Sequence, residues 1–204
     1  MNHEKQIRIM LGVILILLVI GASLLIFYQK YRYSDVFFEY NGFAIHKVEI
    51  QGIPIYKATI YVDDKPFLLG FRYNPRDLEG IKVEDGLKEK IIKKSLYVTM
   101  DPGLSSKGTI AFSEVDKVME NPSLYRLTTK PALTKEIDGN DLPKIDCDDV
   151  TADIGVIRFM IGKADRVYSD ESGCVIVEAI SEDNLIKVAD RLMMTIGGIM
   201  DANP

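Results

Sequence analysis

DVFFEYNGFAIHKVEIQGIPIYKATIYVDDKPFLLGFRY, residues 35–73, carries the strongest local signal of the fold class. It holds four runs rich in Ile, Val, Tyr and Phe, the residue types that suit a pleated, half-buried surface. Asn41-Gly42 separates the first two runs, DVFFEY and FAIHKVEI, and this dipeptide is a strong signal for a two-residue hairpin. A turn near Gly52 leads to IPIYKATIYV, and Asp63-Asp64-Lys65 leads to PFLLGFRY. The pattern predicts an antiparallel β meander. Asn74-Pro75 stops the last strand, and PRDLEGI reads as a short helical turn with Asn74 as cap and Pro75 in first position.

Downstream, the period changes. DGLKEKIIKK, residues 85–94, reads as a short helix with a solvated basic face (Lys88, Lys90, Lys93, Lys94) supported by Glu84–Lys88. SLYVTM is a strand, and Asp101-Pro102-Gly103 is a turn. Ser105 or Ser106 caps a helix running to about Glu120, with Ile110, Ala111, Val115, Val118 and Met119 on one face. Pro122 ends that helix, and SLYRLTT is expected as the next strand. Strand, helix, strand in this order implies a crossover, so part of the sheet is expected to be parallel. GVIRFMI, DRVYS and GCVIVEA read as three more strands. SEDNLIKVADRLMMTIGGIM is the last helix, capped by Ser181 and ended by Gly197-Gly198. The expected class is α+β: an antiparallel meander and a mixed sheet with about three helices, continuous over 34–204, with a soft sub-boundary near residue 100.

Upstream, residues 9–27 read IMLGVILILLVIGASLLIF, 19 residues without a charge, 14 of them Ile, Leu, Val or Phe. A helix of that length spans roughly 28 Å, close to the hydrocarbon thickness of a bilayer. The expectation is a short tail over 1–8 and a single transmembrane helix over 9–28 with the lipid bilayer as its partner. Tyr28, Tyr31 and Tyr33, with Lys30 and Arg32 between them, fit the headgroup level. Lys5 and Arg8 before the run balance Lys30 and Arg32 after it. The short tail is the easier part to leave inside, which places the large domain outside, at the cell membrane. A cleaved signal peptide ending at Gly21-Ala22-Ser23 is the main alternative, but the apolar residues continue through Phe27. A pilin-like leader would end in Gly and be followed by an acidic residue, and neither is present.

The net charge of the chain is −5, which gives it no electrostatic reason to bind nucleic acid. The two cysteines, Cys147 and Cys174, are disulfide candidates if the domain lies in an oxidising compartment; two buried thiols are the alternative.

Histidine is nearly absent: His3 is in the tail, and His46 alternates with apolar residues on a strand and reads as half-buried and structural. No G-x-S-x-G elbow occurs. The cysteine and histidine spacing does not make a zinc site. Gly162-Lys163 lacks the rest of a phosphate loop, because Ala164 follows it. The richest run of potential ligands is acidic: Asp138, Asp141, Asp146, Asp148, Asp149 and Asp153. Asp146, Asp148, Asp149 and Asp153 are a candidate Ca²⁺ set, although their spacing is not that of an EF-hand and a solvated loop is the plainer reading. No other cofactor is expected.

Several segments resemble a family of archaeal single-pass membrane (envelope) proteins of unknown function. They are IHKVEIQGIPIYKATI, FRYNPRDLEGI, DPGLSSKGTIAFSEV, CDDVT, GVIRFMIG, GCVIVEA and DNLIKVADRLMMTIGGIM. The resemblance implies an envelope-facing location and supplies no catalytic residue. The functional expectation is a membrane-anchored binding or assembly module that engages a protein partner. The alternative is a tethered hydrolase or transferase using carboxylates of the 138–153 loop or a serine near Ser105-Ser106.

Overall fold

A computed structural model describes the backbone of residues 3–33 and 37–203, and the side chains of residues 10–25 and 37–203. The chain divides into two compact units, Met1–Phe37 and Phe38–Pro204.

The first unit carries one helix, α1 (His3–Tyr33). Its large apolar side chains from Met10 to Leu25 are each 46–66% exposed. Among the described residues, no helix is long and apolar enough to cross a membrane. The expected transmembrane helix over 9–28 is corrected on this ground. The same finding corrects the placing of the chain in the cell membrane with the domain outside. Lys5, Arg8, Tyr28, Lys30, Tyr31, Arg32 and Tyr33, which were to flank the span, lie outside the described side chains.

The second unit is α+β. Its first sheet is the expected meander, β1 (Phe38–Tyr40), β2 (Phe43–Ile50), β3 (Ile53–Val62) and β4 (Lys65–Phe71), antiparallel in sequence order. Each hairpin turns on two residues with positive φ: Asn41 and Gly42 (48° and 79°), Gln51 and Gly52 (52° and 79°), Asp63 and Asp64 (50° and 61°). That backbone matches the twist of the flanking strands. Asp tolerates it through its short polar side chain, so the third hairpin closes without glycine. The inner face of the meander presents Ile45, Ala58, Ile60, Leu69 and Phe71 to the core.

The second sheet contains β5 (Lys82–Val83), β6 (Ser95–Met100), β7 (Thr129–Leu133), β8 (Ile154–Ile161), β9 (Arg166–Ser169) and β10 (Val175–Ala179). Its order is β5-β9-β10-β8-β6-β7, and only the β9–β10 pairing is antiparallel. The helices of this unit are α2 (Leu87–Ile91), α3 (Ser106–Met119) and α4 (Glu182–Ile196). α3 is the crossover between the parallel neighbours β6 and β7, as expected. α2 packs so close to β8 that a Cβ on Gly155 would stand 2.9 Å from the Ile91 carbonyl oxygen.

α4 is buried nearly all round: ten of its 15 residues are buried, from Leu185 to Ile196. A helix apolar on one stripe only would cover one sheet; α4 is packed from both sides. One apolar core joins the inner face of the meander, α3, α4 and one face of the mixed sheet. A smaller cluster on the other face gathers Cys147, Val156, Cys174 and Ile176 beneath the 134–153 loop.

One predicted strand moves. SLYRLTT was expected to be extended, but the chain turns after Asn121, whose carbonyl accepts from Leu124 N (3.0 Å) and Arg126 N (3.2 Å). Asn121 Oδ1 also accepts from Ser123 N at 2.9 Å, and Arg126 takes a φ of 53°. Asn-Pro initiates the turn and delays the strand to Thr129. β7 then tolerates Pro131 because it is an edge strand. The returning loop covers part of that edge, with Leu133 N donating to the Pro143 carbonyl and Ile145 N to the Leu133 carbonyl, both at 3.0 Å.

Candidate functional site

The parallel strands β6 and β7 end at Met100 and Leu133, and α3 begins just beyond β6. These ends, with α3, form a cleft of about 330 Å³. Met100, Leu104, Phe112, Pro131, Leu133 and Leu142 make it largely apolar, while Asp101, Ser105 and Thr109 add polar groups. Open parallel sheets bind ligands beyond the carboxyl ends of their strands, and this cleft lies there.

The local sequence fixes each polar group. Asp101 opens a tight turn, its Oδ1 accepting from Gly103 N and its Oδ2 from Lys135 Nζ, both at 2.9 Å. The Gly103 N–H, followed by Lys135, holds the Asp101 carboxyl below its ordinary range. Ser105 caps α3 by accepting from Lys107 N, and its hydroxyl donates to Glu182 at the start of α4. Ser105 is thus committed to helix ends rather than presented to a base.

A second polar group centres on two buried carboxylates, Asp190 and Glu114. Where β4 leaves the meander, Asp190 Oδ2 accepts from Arg72 N (2.8 Å) and Tyr73 N (2.9 Å). Arg72 Nε pairs with Glu114 at 2.9 Å. Lys117 reaches Glu114 and stands 3.9 Å from Asp190, with its ammonium over the Phe71 ring. Asp190 is completely buried and Glu114 almost so. Burial lifts the Asp190 carboxyl to about 6, against the opposing pull of Lys117 and the two backbone N–H groups. Burial also lowers the Lys117 ammonium to about 8, with Asp190 pulling the other way. The quartet ties the meander to both helices. None of its members lines the cleft. The sequence signal for it is two acids at apolar positions: Asp190 between Ala189 and Leu192, and Glu114 beside Val115 and Val118.

Cys147 and Cys174 come together at disulfide distance, with Cα atoms 5.1 Å apart. Asp170 supports this corner, its Oδ1 accepting from Ser172 N (2.9 Å), Ser172 Oγ (2.6 Å) and Cys174 N (3.0 Å). Among the described residues, Cys147, Asp170 and Cys174 form the one gathering of three metal-ligating groups, with ligand atoms within 4.8 Å of one another.

The Ca²⁺ candidates do not belong to that gathering. Asp146 and Asp149 form a reciprocal cap over the short 3₁₀ turn Cys147–Asp149: Asp146 accepts from Cys147 N (2.8 Å), and Asp149 accepts from Asp146 N (2.9 Å). Asp146 also pairs with Arg158 at 3.1 Å. Asp148 and Asp153 are exposed. No carboxylate of the 138–153 loop lines the cleft, to which the loop contributes Leu142.

The other singled-out residues are structural. His46 is half-buried, with its Nε2 3.2 Å from Thr59 Oγ1. Gly162 precedes a turn organised by Glu178, which accepts from Lys163 N (2.6 Å) and Arg166 Nε (2.7 Å). Glu84 pairs with Lys90 at 3.4 Å rather than with Lys88, because α2 starts only at Leu87. Ser169 fixes that carboxylate through N (2.8 Å) and Oγ (2.7 Å). Lys88 instead lies over the Tyr125 ring.

No family model, curated protein or solved structure matches the chain.

Proposed function

We propose that the chain is a binding or assembly module rather than an enzyme, and that it associates with a protein partner through α1. The observation that carries this reading is the apolar surface of residues 10–25, where twelve large side chains are each 46–66% exposed. Apolar surface of this extent marks an interaction site on a folded protein. Ser23 gives no polar face either, since its hydroxyl bonds to the Val19 carbonyl at 2.8 Å within the helix.

The second unit favours the same reading. Its strongest polar constellation centres on the buried carboxylates of Asp190 and Glu114, with Arg72 and Lys117 about a third exposed, and none of the four lines the cleft. The acidic-loop carboxylates stand away from the cleft, and Ser105 serves as a cap. A hydrolase or transferase would need a nucleophile and a base converging on a space a substrate can enter.

Affinity capture of the full chain tests the proposal. The expected result is a stable protein partner, or further copies of the chain, lost when Leu15 and Leu18 are both replaced by Glu. Recovery of the monomer alone, or capture unchanged by the two charges, contradicts it.

A further inference from the structure

The cleft at the ends of β6 and β7 has one charged group in its wall, the Asp101 carboxylate. Gly103 N fixes one oxygen by a hydrogen bond of 2.9 Å; the other faces an ammonium, that of Lys135, at 2.9 Å. The Asp101 side chain is 50% exposed and that of Lys135 71%. An exposed pair of this kind is weak and exchanges readily. The chain's own lysine therefore occupies a cation position that another ammonium can take.

Beside that position the wall is apolar: Met100, Leu104, Phe112, Pro131 and Leu133. The volume, about 330 Å³, is at the small end of ligand pockets and too small for a folded partner. We propose that this cleft binds a small organic amine, its apolar body against Met100, Phe112 and Leu133 and its ammonium on Asp101 in place of that of Lys135. Charge selects the class. A carboxylate or phosphate ligand would meet Asp101 and, at Ser105, the Glu182 carboxylate. A neutral apolar ligand would gain nothing from the carboxylate. The proposal is independent of any association through α1.

The test uses the full chain labelled with ¹³C at its methionine methyl groups, the Met100 resonance being assigned through Met100→Leu. Phenethylamine and phenethyl alcohol are titrated separately; they share a ring and spacer and differ in the ammonium. Both should shift Met100, with the amine binding about twofold to fivefold more tightly, the factor that an exposed charged contact of about 0.5–1 kcal/mol supplies. Asp101→Asn should bring the two probes to similar affinity, with the remaining methionine resonances reporting the fold. Lys135→Ala removes the competing ammonium and should tighten amine binding while leaving the alcohol unchanged. Equal affinities in the unmodified chain, a Met100 resonance that neither probe moves, or weaker amine binding in Lys135→Ala would each overturn the proposal.

Discussion

Gly162 has room for a hydrogen and little more. A Cβ there would stand 2.2 Å from Glu178 Oε1 and 2.5 Å from Glu178 Cγ. Glu178 is itself held by Lys163 N and Arg166, so it cannot retreat without giving up those bonds. Gly162→Ala is expected to destabilise the folded chain by about 1–3 kcal/mol, the usual cost of overpacking a closed site. Urea unfolding measures this, and an unchanged midpoint would mean that Glu178 moves at no cost. Asp190 sets a pH dependence. Its carboxyl titrates near 3.8 ordinarily and at about 6 in the folded chain. Between those values the folded chain holds a proton that the unfolded chain has released. Stability therefore falls as pH rises from about 4 to 6, by at most about 1.4 kcal/mol per pH unit for one proton. Lys117 acts at the other end: between about 8 and its ordinary 10.5 the unfolded chain holds the extra proton, so stability recovers as pH rises through that window. Arg72 and Glu114 face the same pair. Against Asp190→Asn, the unmodified chain should lose relative stability from pH 4 to pH 7; parallel pH profiles would contradict this.

At the scale of elements, what the sequence made legible divides by how local the cause is. The three hairpins were readable because Asn41-Gly42, the turn at Gly52 and Asp63-Asp64 each encode their own backbone. The caps at Asn74, Ser105 and Ser181 were readable for the same reason. β7 was not, because its run contains Pro131, acceptable only on an edge, and edge position is a tertiary fact. The cleft was not readable either: Met100, Phe112 and Leu133 are ordinary apolar residues until β6, α3 and β7 are assembled. Nor does a count of carboxylates in the acidic loop say that Asp146 and Asp149 cap one another. Two further predictions belong to elements. Leu192, fully buried on α4 between two layers, should cost about 2–5 kcal/mol when replaced by Ala. The Cys147–Cys174 pair is separated by 27 residues, and in the chain-entropy model closing such a loop contributes about 3–4 kcal/mol. Adding reductant, or replacing both cysteines with Ser, should therefore lower the denaturation midpoint. An equal midpoint with and without reductant would show that the bridge does not stabilise the loop.

At the scale of the whole molecule, the two units differ in what they leave exposed. Residues 38–204 bury their own core, from Ile45 to Met200. Their last residues are stitched back in: Arg191 reaches the Asp201 carbonyl (2.6 Å) and Asn203 Oδ1 (2.9 Å), and Asn203 N donates to the Val83 carbonyl (3.0 Å). Residues 10–25 leave their large apolar side chains 46–66% exposed. An apolar helix left uncovered carries its whole hydration cost, at roughly 25 cal/mol per Å² of apolar surface, and covering it is the strongest driving force this chain offers to a partner. Association through α1 shows itself in the molar mass of the purified full chain. Light scattering coupled to size exclusion, run beside the Leu15→Glu, Leu18→Glu double variant, supplies it. The expected result is an assembly larger than one chain that shifts to smaller species in the double variant. A full chain that runs as a monomer, or an assembly that the two charges leave intact, would contradict it.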